Sequence, residues 1–188
     1  MARLDKLDLR ILRELKKDGR ASITHLAKQV ESSRPTITNR LRRLREEGLL
    51  NIIGGLNLGA LEFKMAAVGM EIKSESSRKE VLQLLSSCPR VQTIFRTPEK
   101  ANIHVGIWGE DDQTINSTIE SFRDFPNVEI VRTSYLGTPI HGNVTLMLDP
   151  GKGDVSPCGK KCSECHRYQN NWCKGCPSTM HYSNPLSE

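Results

Sequence analysis

Three stretches within the first 50 residues carry apolar side chains every three or four positions, a pattern that predicts three short amphipathic helices. Their inward-facing positions are Leu7, Ile11, Leu12 and Leu15 in the first, Leu26, Ala27 and Val30 in the second, and Ile37, Leu41 and Leu44 in the third. Ser22 and Ser33 are suitable N-caps for the second and third helices, and Gly48 ends the third. We predict that the apolar residues 49–53 form the strand of a winged helix.

From about residue 65 onwards, apolar and polar residues alternate, which is typical of strands with one buried face. Four strands are predicted around residues 68–72, 91–95, 103–107 and 128–132, with helices over about 76–87 and from about 111 to 122. The order β-α-β-β-α-β is that of the ferredoxin-like arrangement, in which two helices cover one face of an antiparallel sheet. Residues 144–148 have the pattern of a further strand.

The C-terminal segment has few large apolar side chains, so it can become ordered only if it is cross-linked. Its cysteines follow the spacing C-x3-C-x2-C-x7-C-x2-C and are Cys158, Cys162, Cys165, Cys173 and Cys176. A reducing compartment disfavours stable disulfides. We therefore predict that these cysteines are metal ligands.

Two CxxC pairs can hold one ion in a tetrahedral site, and zinc is the simplest assignment. Its ligands would be Cys162, Cys165, Cys173 and Cys176. A [4Fe-4S] cluster also takes four thiolates and would give Cys158 a role. Residues 162–166 match the c-type haem attachment pattern as well, but that chemistry belongs to an exported, oxidising setting. The metal is left open between zinc and iron–sulfur.

These patterns predict an α+β protein with an N-terminal winged helix-turn-helix in residues 1–53 and a linker in 54–64. A ferredoxin-like domain follows in 65–148, and a small cysteine-rich, metal-stabilised tail in 149–188. The linker before the tail is expected at residues 149–153. Cys88 of the middle domain is interpreted as a core residue.

The composition, with 37% hydrophobic and 26% charged residues, is typical of a soluble folded protein. No apolar run approaches the roughly 20 residues of a membrane span. The first ten residues are charged where a signal peptide would be apolar. We therefore expect a cytoplasmic protein with no membrane partner.

Positive charge is concentrated at the N-terminus. Residues 1–50 contain 13 Lys and Arg against 7 Asp and Glu, whereas residues 51–188 contain 14 against 15. A basic domain ahead of a nearly neutral one favours a polyanionic partner for the first, and nucleic acid is the obvious candidate.

The third predicted helix has a cationic, hydrogen-bonding face opposite its apolar stripe. As a recognition helix it would enter the major groove of double-stranded DNA with its N-terminal residues nearest the bases. The predicted DNA contacts are Ser33, Arg34, Thr36, Thr38, Asn39, Arg42 and Arg43. Arg42 and Arg43 are assigned to phosphates, and the residues nearer the N-terminus to base edges. The alternative is a solvated helix surface with no partner.

Residues 4–53 resemble the DNA-binding domain of the Lrp/AsnC (feast/famine) transcription regulators. The matching marks are Leu4-Asp5, Asp8, Ile11-Leu12, Asp18-Gly19-Arg20, Leu26-Ala27, Ser33, Arg40-Leu41, Leu44 and Gly48-Leu49. The chain departs from the family pattern at Glu31-Ser32, where an apolar residue and glycine are usual at the turn. Residues 68–135 resemble the family's effector domain in element order.

The resemblance implies a homodimer in which the open faces of two sheets pack together, with tetramers or octamers as larger assemblies. His104 and Trp108 share one strand face and are interpreted as packing in this dimer interface. It also implies a small-molecule effector, often an amino acid, bound near the start of the third strand. The corresponding segment here, residues 97–103, lacks the usual Gly-Asp and Tyr-Asp features.

The first hypothesis is a sequence-specific transcription regulator, not an enzyme, that responds to metal or redox state through its tail. A purely structural zinc knuckle is the alternative for the tail, and a protein-binding or electron-transfer module is another. The alternative for the whole chain is a sirohaem-decarboxylase-like enzyme of tetrapyrrole metabolism, which the same architecture resembles. Arg96, His104 and His141 would then serve the macrocycle.

Overall fold

The computed structural model of the chain describes residues 4–142, 144–148 and 151–186. The chain forms two compact units, Met1–Gly54 and Gly55–Glu188. Within the described residues, no helix is long and apolar enough to cross a membrane. The second unit contains both the ferredoxin-like domain and the cysteine-rich tail.

The first unit contains the three predicted helices, α1 (Lys6–Lys17), α2 (Ile23–Gln29) and α3 (Arg34–Glu46). Both predicted N-caps are confirmed. The Ser22 hydroxyl accepts the His25 N–H, and the Ser33 hydroxyl accepts the Thr36 N–H. The apolar side chains that are fully buried between the helices are Ile11, Leu26, Ile37 and Leu44.

The predicted wing strand is wrong: in the described structure, residues 49–55 contain no strand. α3 instead ends in a Schellman motif, in which Gly48 adopts a positive φ of 67°. The N–H groups of Leu49 and Leu50 both donate to the Leu44 carbonyl, at 2.8 and 3.0 Å. These two N–H groups satisfy the Leu44 carbonyl at the end of the helix and are not available for pairing with a neighbouring strand.

The second unit contains the strands β1 (Leu56–Asn57), β2 (Lys64–Ile72), β3 (Val91–Arg96), β4 (Ile103–Gly109), β5 (Val128–Gly137) and β6 (Thr145–Leu146), and the helices α4 (Glu75–Ser87), α5 (Asp112–Phe122) and α6 (His166–Gln169). Its main sheet has the order β3-β4-β2-β5 with all neighbours antiparallel, which confirms the ferredoxin-like prediction. The alternating residues Ile103, Val105 and Ile107 of β4 are buried in the core cluster that includes residues of α4 and α5.

Of residues 54–64, predicted as a linker, all but Gly54 are part of the second unit. β1 pairs with β6, so the further strand predicted at residues 144–148 forms outside the main sheet. Leu58, Phe63 and Trp108 are buried together with Leu146 in a second small core. Trp108, predicted in a dimer interface, is therefore covered by its own chain, stacked on Phe63 with ring centroids 5.6 Å apart.

The opposite face of the main sheet carries the residues that alternate with the core positions. Phe95 pairs with His104 across β3 and β4 on this face, and Gly69 pairs with Arg132 across β2 and β5. Phe95 is 59% exposed. Within the described residues this face has no covering layer.

The tail folds against the effector domain, the part of the second unit formed by β2 to β5 with α4 and α5. Asp149 and Pro150 of the predicted linker lie outside the described residues, and Gly151 begins the described tail. The Ser117 hydroxyl on α5 donates to the Trp172 carbonyl (2.6 Å), and Lys160 pairs with Asp124 just beyond α5. Docking onto α5, together with the turns around the cysteines, orders a segment that has little apolar core of its own.

Candidate functional site

The exposed face of α3 presents unpaired polar side chains. Arg34, Asn39, Arg42 and Arg45 are exposed. In the part of the chain that the structure describes, none of these four side chains has a hydrogen bond or an ion pair. They are available for an external ligand, and three of the four are cationic.

The hydroxyl side chains predicted to contact DNA are engaged inside the helix. Ser33 caps the N-terminus of α3 and lies 2.7 Å from the Thr36 hydroxyl, and the Thr38 hydroxyl donates to the Arg34 carbonyl at 3.0 Å. These bonds set the start of α3 and the position of the free side chains beside them. As placed, the three hydroxyls support the helix rather than present free donors.

Arg43, predicted to contact phosphate, is turned towards the protein. Its guanidinium pairs with Asp8 on α1, whose side chain is completely buried and also lies 3.3 Å from Arg40. A buried carboxylate is costly unless it is paired, and two arginines and the Asp5 N–H supply the partners here. This network was not predicted from the sequence, although Asp8 and Arg40 were among the residues that match the family pattern.

The same network acts on Asp5, the N-cap of α1. The Asp8 N–H donates to Asp5 at 2.9 Å, and Arg40 pairs with it at 2.5 Å. The hydrogen bond from Asp8 and the charge of Arg40 hold the pKa of Asp5 below its ordinary value, and the pKa of Arg40 is raised mainly by its bond to Asp5. Capping and ion pairing together fix α1 against α3.

The second candidate site is a cavity of about 90 Å³ in the second unit, called here the cysteine cavity. All six cysteines of the chain line it, and all are free thiols: Cys88, Cys158, Cys162, Cys165, Cys173 and Cys176. The five tail cysteines predicted as ligands are thus brought around one space. Cys88, predicted as a core residue, is the C-cap of α4 and lines the same cavity as the tail cysteines.

A buried arginine joins the tail to the effector domain at this cavity. Arg90 pairs with Glu110 at 2.8 Å, with both side chains at most 5% exposed, and donates to the Gly175 carbonyl at 2.7 Å. Its guanidinium also lies over the Trp108 ring, 4.9 Å from the centroid. Burial opposes the charge of Arg90, but Glu110, Cys173 and Tyr182 together outweigh it, and the pKa of Arg90 is raised.

Burial also acts on the thiols. It raises the pKa of Cys88 and Cys173, and it raises the pKa of Cys176 to about 12. Among the described residues, no three His, Cys, Asp or Glu side chains are gathered closely enough to hold a single metal ion. The donor set suits a thiolate-binding metal, but as placed it does not form a site for one ion.

The residues proposed for the enzyme alternative lie apart from this cavity's lining. His104 is on β4, with its Nε2 buried and unpartnered among the described atoms. Arg96 ends β3 and lies 3.9 Å from Glu75, and His141 is exposed in the segment after β5.

Similarity to known proteins bears on both units. Residues 4–45 match the AsnC-type helix-turn-helix domain. The chain is similar to the leucine-responsive regulatory protein of Rhizobium meliloti, with 31% identity over 142 residues that make up 72% of this chain and 85% of that protein. It is also similar to the HTH-type transcriptional regulator LysM of Saccharolobus solfataricus, with 26% identity over 68% of this chain and 89% of that protein.

Among solved structures, the leucine response regulatory protein LrpA of Mycobacterium tuberculosis has the same fold. Its TM-score is 0.66 at 20% identity, over 74% of this chain and 96% of that chain. None of these similarities supports the decarboxylase alternative, since the named relatives are transcriptional regulators. The chain therefore belongs to the Lrp/AsnC family of transcriptional regulators, which are not enzymes.

Proposed function

We propose that the protein regulates transcription by sequence-specific binding of double-stranded DNA, with α3 in the major groove. The observation that carries this proposal is the row of exposed, unpaired side chains on α3, namely Arg34, Asn39, Arg42 and Arg45. Cationic side chains supply affinity through phosphates, and planar groups that form paired hydrogen bonds read base edges.

The contacts within α3 divide the predicted DNA-binding residues by role. Arg34 and Asn39 have free groups near the helix N-terminus and are assigned to base edges, and Arg42 to phosphate. Ser33, Thr36, Thr38 and Arg43 are assigned a positioning role, because their side chains are bound within the unit. They hold α3 in the orientation that DNA binding requires.

A two-fold dimer is part of the proposal. The open face of the main sheet carries Phe95 at 59% exposure, and a second copy of the same face would cover it. A dimer places two recognition helices on half-sites about one DNA turn apart.

One solved structure with the same fold is a transcriptional regulator from Neisseria meningitidis in complex with L-methionine. Here, residues 97–103 lack the usual Gly-Asp and Tyr-Asp features, so an amino-acid effector is not part of the proposal.

We further propose that DNA affinity responds to a metal centre at the cysteine cavity. The support is that all five tail cysteines line one cavity whose wall includes residues of the effector domain. Zinc and iron–sulfur both suit thiolates, and binding requires reduced thiols, so oxidation of the cysteines and loss of metal would have the same effect.

The DNA-binding proposal is tested by selecting sites for the full chain from a pool of random duplexes. The variant Arg42→Ala should then weaken binding of the selected site and lower the salt-dependence slope by about one, because one phosphate contact is lost. Arg13→Ala, which removes an exposed arginine of α1, is the matched control and should leave both quantities unchanged. No enrichment of any sequence, or equal effects of the two variants, would contradict the proposal.

The metal response is tested by measuring affinity for the selected site before and after chelation under anaerobic conditions. We expect a change of about fivefold or more on metal removal, since typical couplings between sites are about 1–3 kcal/mol. Restoring the metal should restore the affinity. Equal affinities of the metal-loaded and metal-free proteins would leave the tail with a structural role only.

A further inference from the structure

The cysteine cavity is larger than a single ion requires. Its volume of about 90 Å³ is several times the roughly 15 Å³ that one water molecule needs. Its wall comes from two parts of the chain, because Cys88 belongs to the end of α4 and the other five cysteines to the tail. Cys88 lines the same cavity as Cys158 and Cys176.

The arrangement of the thiols does not fit a mononuclear site. Four thiolates around one zinc ion lie only about 3.8 Å apart, because each Zn–S bond is about 2.3 Å. Among the described residues, no three His, Cys, Asp or Glu side chains are placed to hold one metal ion. In a [4Fe-4S] cluster each thiolate binds a different iron, so the cysteine sulfur atoms lie farther apart around a larger centre. The six thiols line one cavity but are not gathered as a site for one ion, so they suit a larger centre better than a single zinc ion.

The charges around the cavity also suit an anionic centre. Arg90, Lys160 and Arg167 are among the residues that line it, and no carboxylate is. The carboxylates that pair with these cations, Glu110 and Asp124, are not in the lining. Arg90 is buried, so its positive charge remains beside the cavity. A cluster with four thiolate ligands is negatively charged, and such a wall offsets that charge.

We propose that the cysteine cavity binds an iron–sulfur cluster and that Cys88 of the effector domain is one of its ligands. This inference rests on the metal-centre part of the proposed function and names both the metal and a ligand outside the tail. The cluster would cross-link the tail to α4, which leads directly into β3. Its occupancy therefore acts on the effector domain itself and not only on a peripheral segment.

The test uses the full chain, purified anaerobically and reconstituted with ferric iron, a thiol reductant and sulfide. We expect near-equal amounts of iron and acid-labile sulfide in the wild type, with broad visible absorption. Cys88→Ala should lose more than half of both, and Cys88→Ser should lose them or show a shifted spectrum, because an oxygen ligand replaces sulfur. Ser121→Ala, which also changes a residue of the cavity wall, is the matched control and should match the wild type.

Two results would overturn the inference. If the wild-type protein contains zinc and no acid-labile sulfide after reconstitution, the cluster is excluded. If the iron content and the spectrum are unchanged in both Cys88 variants, Cys88 is excluded as a ligand. A measurement on the unmodified protein guards against a folding defect in the variants. Alkylation followed by mass spectrometry should find Cys88 more protected in the reconstituted protein than in the metal-free protein, and equal reactivity would count against the ligand role.

Affinity for the selected DNA site separates this inference from the proposed function. A cluster that forms with Cys88 but leaves DNA affinity unchanged would refute the metal response and support the present inference. A response of DNA affinity to zinc alone, with no cluster formed, would support the metal response and refute the present inference.

Discussion

At the scale of single residues, the structure separates arginines that the sequence places in one group. Arg42 and Arg43 are neighbours in a basic run, yet Arg42 is exposed and Arg43 pairs with the buried Asp8. The difference arises because adjacent residues of a helix point about 100° apart, so only one of them faces α1. A variant of Arg43 would therefore report on the stability of the first unit before it reported on DNA binding.

The Asp5 cap should make the first unit sensitive to acid. Because the pKa of Asp5 in the folded chain lies below its ordinary value of 3.8, its contribution to stability is complete above about pH 4 and is lost as the pH falls through the folded-state pKa. In Asp5→Asn the cap is kept, since asparagine is an equally good N-cap, but this pH dependence should disappear.

The measurement for Asp5→Asn is amide hydrogen exchange of the helices in the first unit, followed from neutral pH to about pH 3. Both tryptophans, Trp108 and Trp172, lie in the second unit, so fluorescence does not report on this transition. Glu47→Gln, at an exposed carboxylate outside the network, is the control. Identical pH profiles for the wild type and Asp5→Asn would refute the assigned role of Asp5.

At the scale of elements, the turn between α2 and α3 has a left-handed backbone position that is occupied by glutamate, Glu31, instead of glycine. Glu31 adopts a positive φ of 51°, and the Ser32 N–H donates to the Ala27 carbonyl at 2.9 Å. This is the left-handed position after a helix that glycine usually occupies. The departure at Glu31-Ser32 from the family pattern therefore leaves strain in the turn, and the surrounding helices hold the turn in place.

Replacing this residue should stabilise the first unit. We expect Glu31→Gly to raise its free energy of unfolding by about 0.5–1 kcal/mol, because glycine adopts a positive φ without steric cost. Hydrogen exchange of α2 and α3 would measure the change. Glu47→Gly is the matched control, since Glu47 also ends a helix but has a φ of −80° and should gain nothing. Equal or reversed effects would show that the turn is not strained.

At the scale of the whole molecule, the second unit has one covered sheet face and one open one. α4 and α5 cover the face that carries Val68 and Val105. The other face exposes Phe95 and carries the small residues Ala67, Gly69 and Gly106, which allow a second sheet to approach closely. This shape agrees with the proposed dimer.

The proposed dimer predicts the effect of a charge on the open face. Phe95→Glu should shift the protein from dimer or larger assembly towards monomer, because a buried unpaired carboxylate opposes the contact. Analytical ultracentrifugation would measure the shift. Ile140→Glu, at a fully exposed apolar residue outside the main sheet, should leave the assembly unchanged. A Phe95→Glu protein with the wild-type sedimentation profile would exclude this face as the interface.

Local patterns in the sequence were enough to predict the three N-terminal helices with the caps Ser22 and Ser33, the strand and helix order of the main sheet, and the grouping of the five tail cysteines. These features depend on apolar spacing, capping chemistry and residue type, all of which act over a few neighbouring positions. Contacts between distant residues were decided only by the tertiary structure. Examples are the pairing of Arg43 with Asp8, the burial of Trp108 under Phe63 and the position of Cys88 among the tail cysteines. The physical reason is that burial and charge pairing depend on which elements pack together, and spacing along a single element carries no information about its partner.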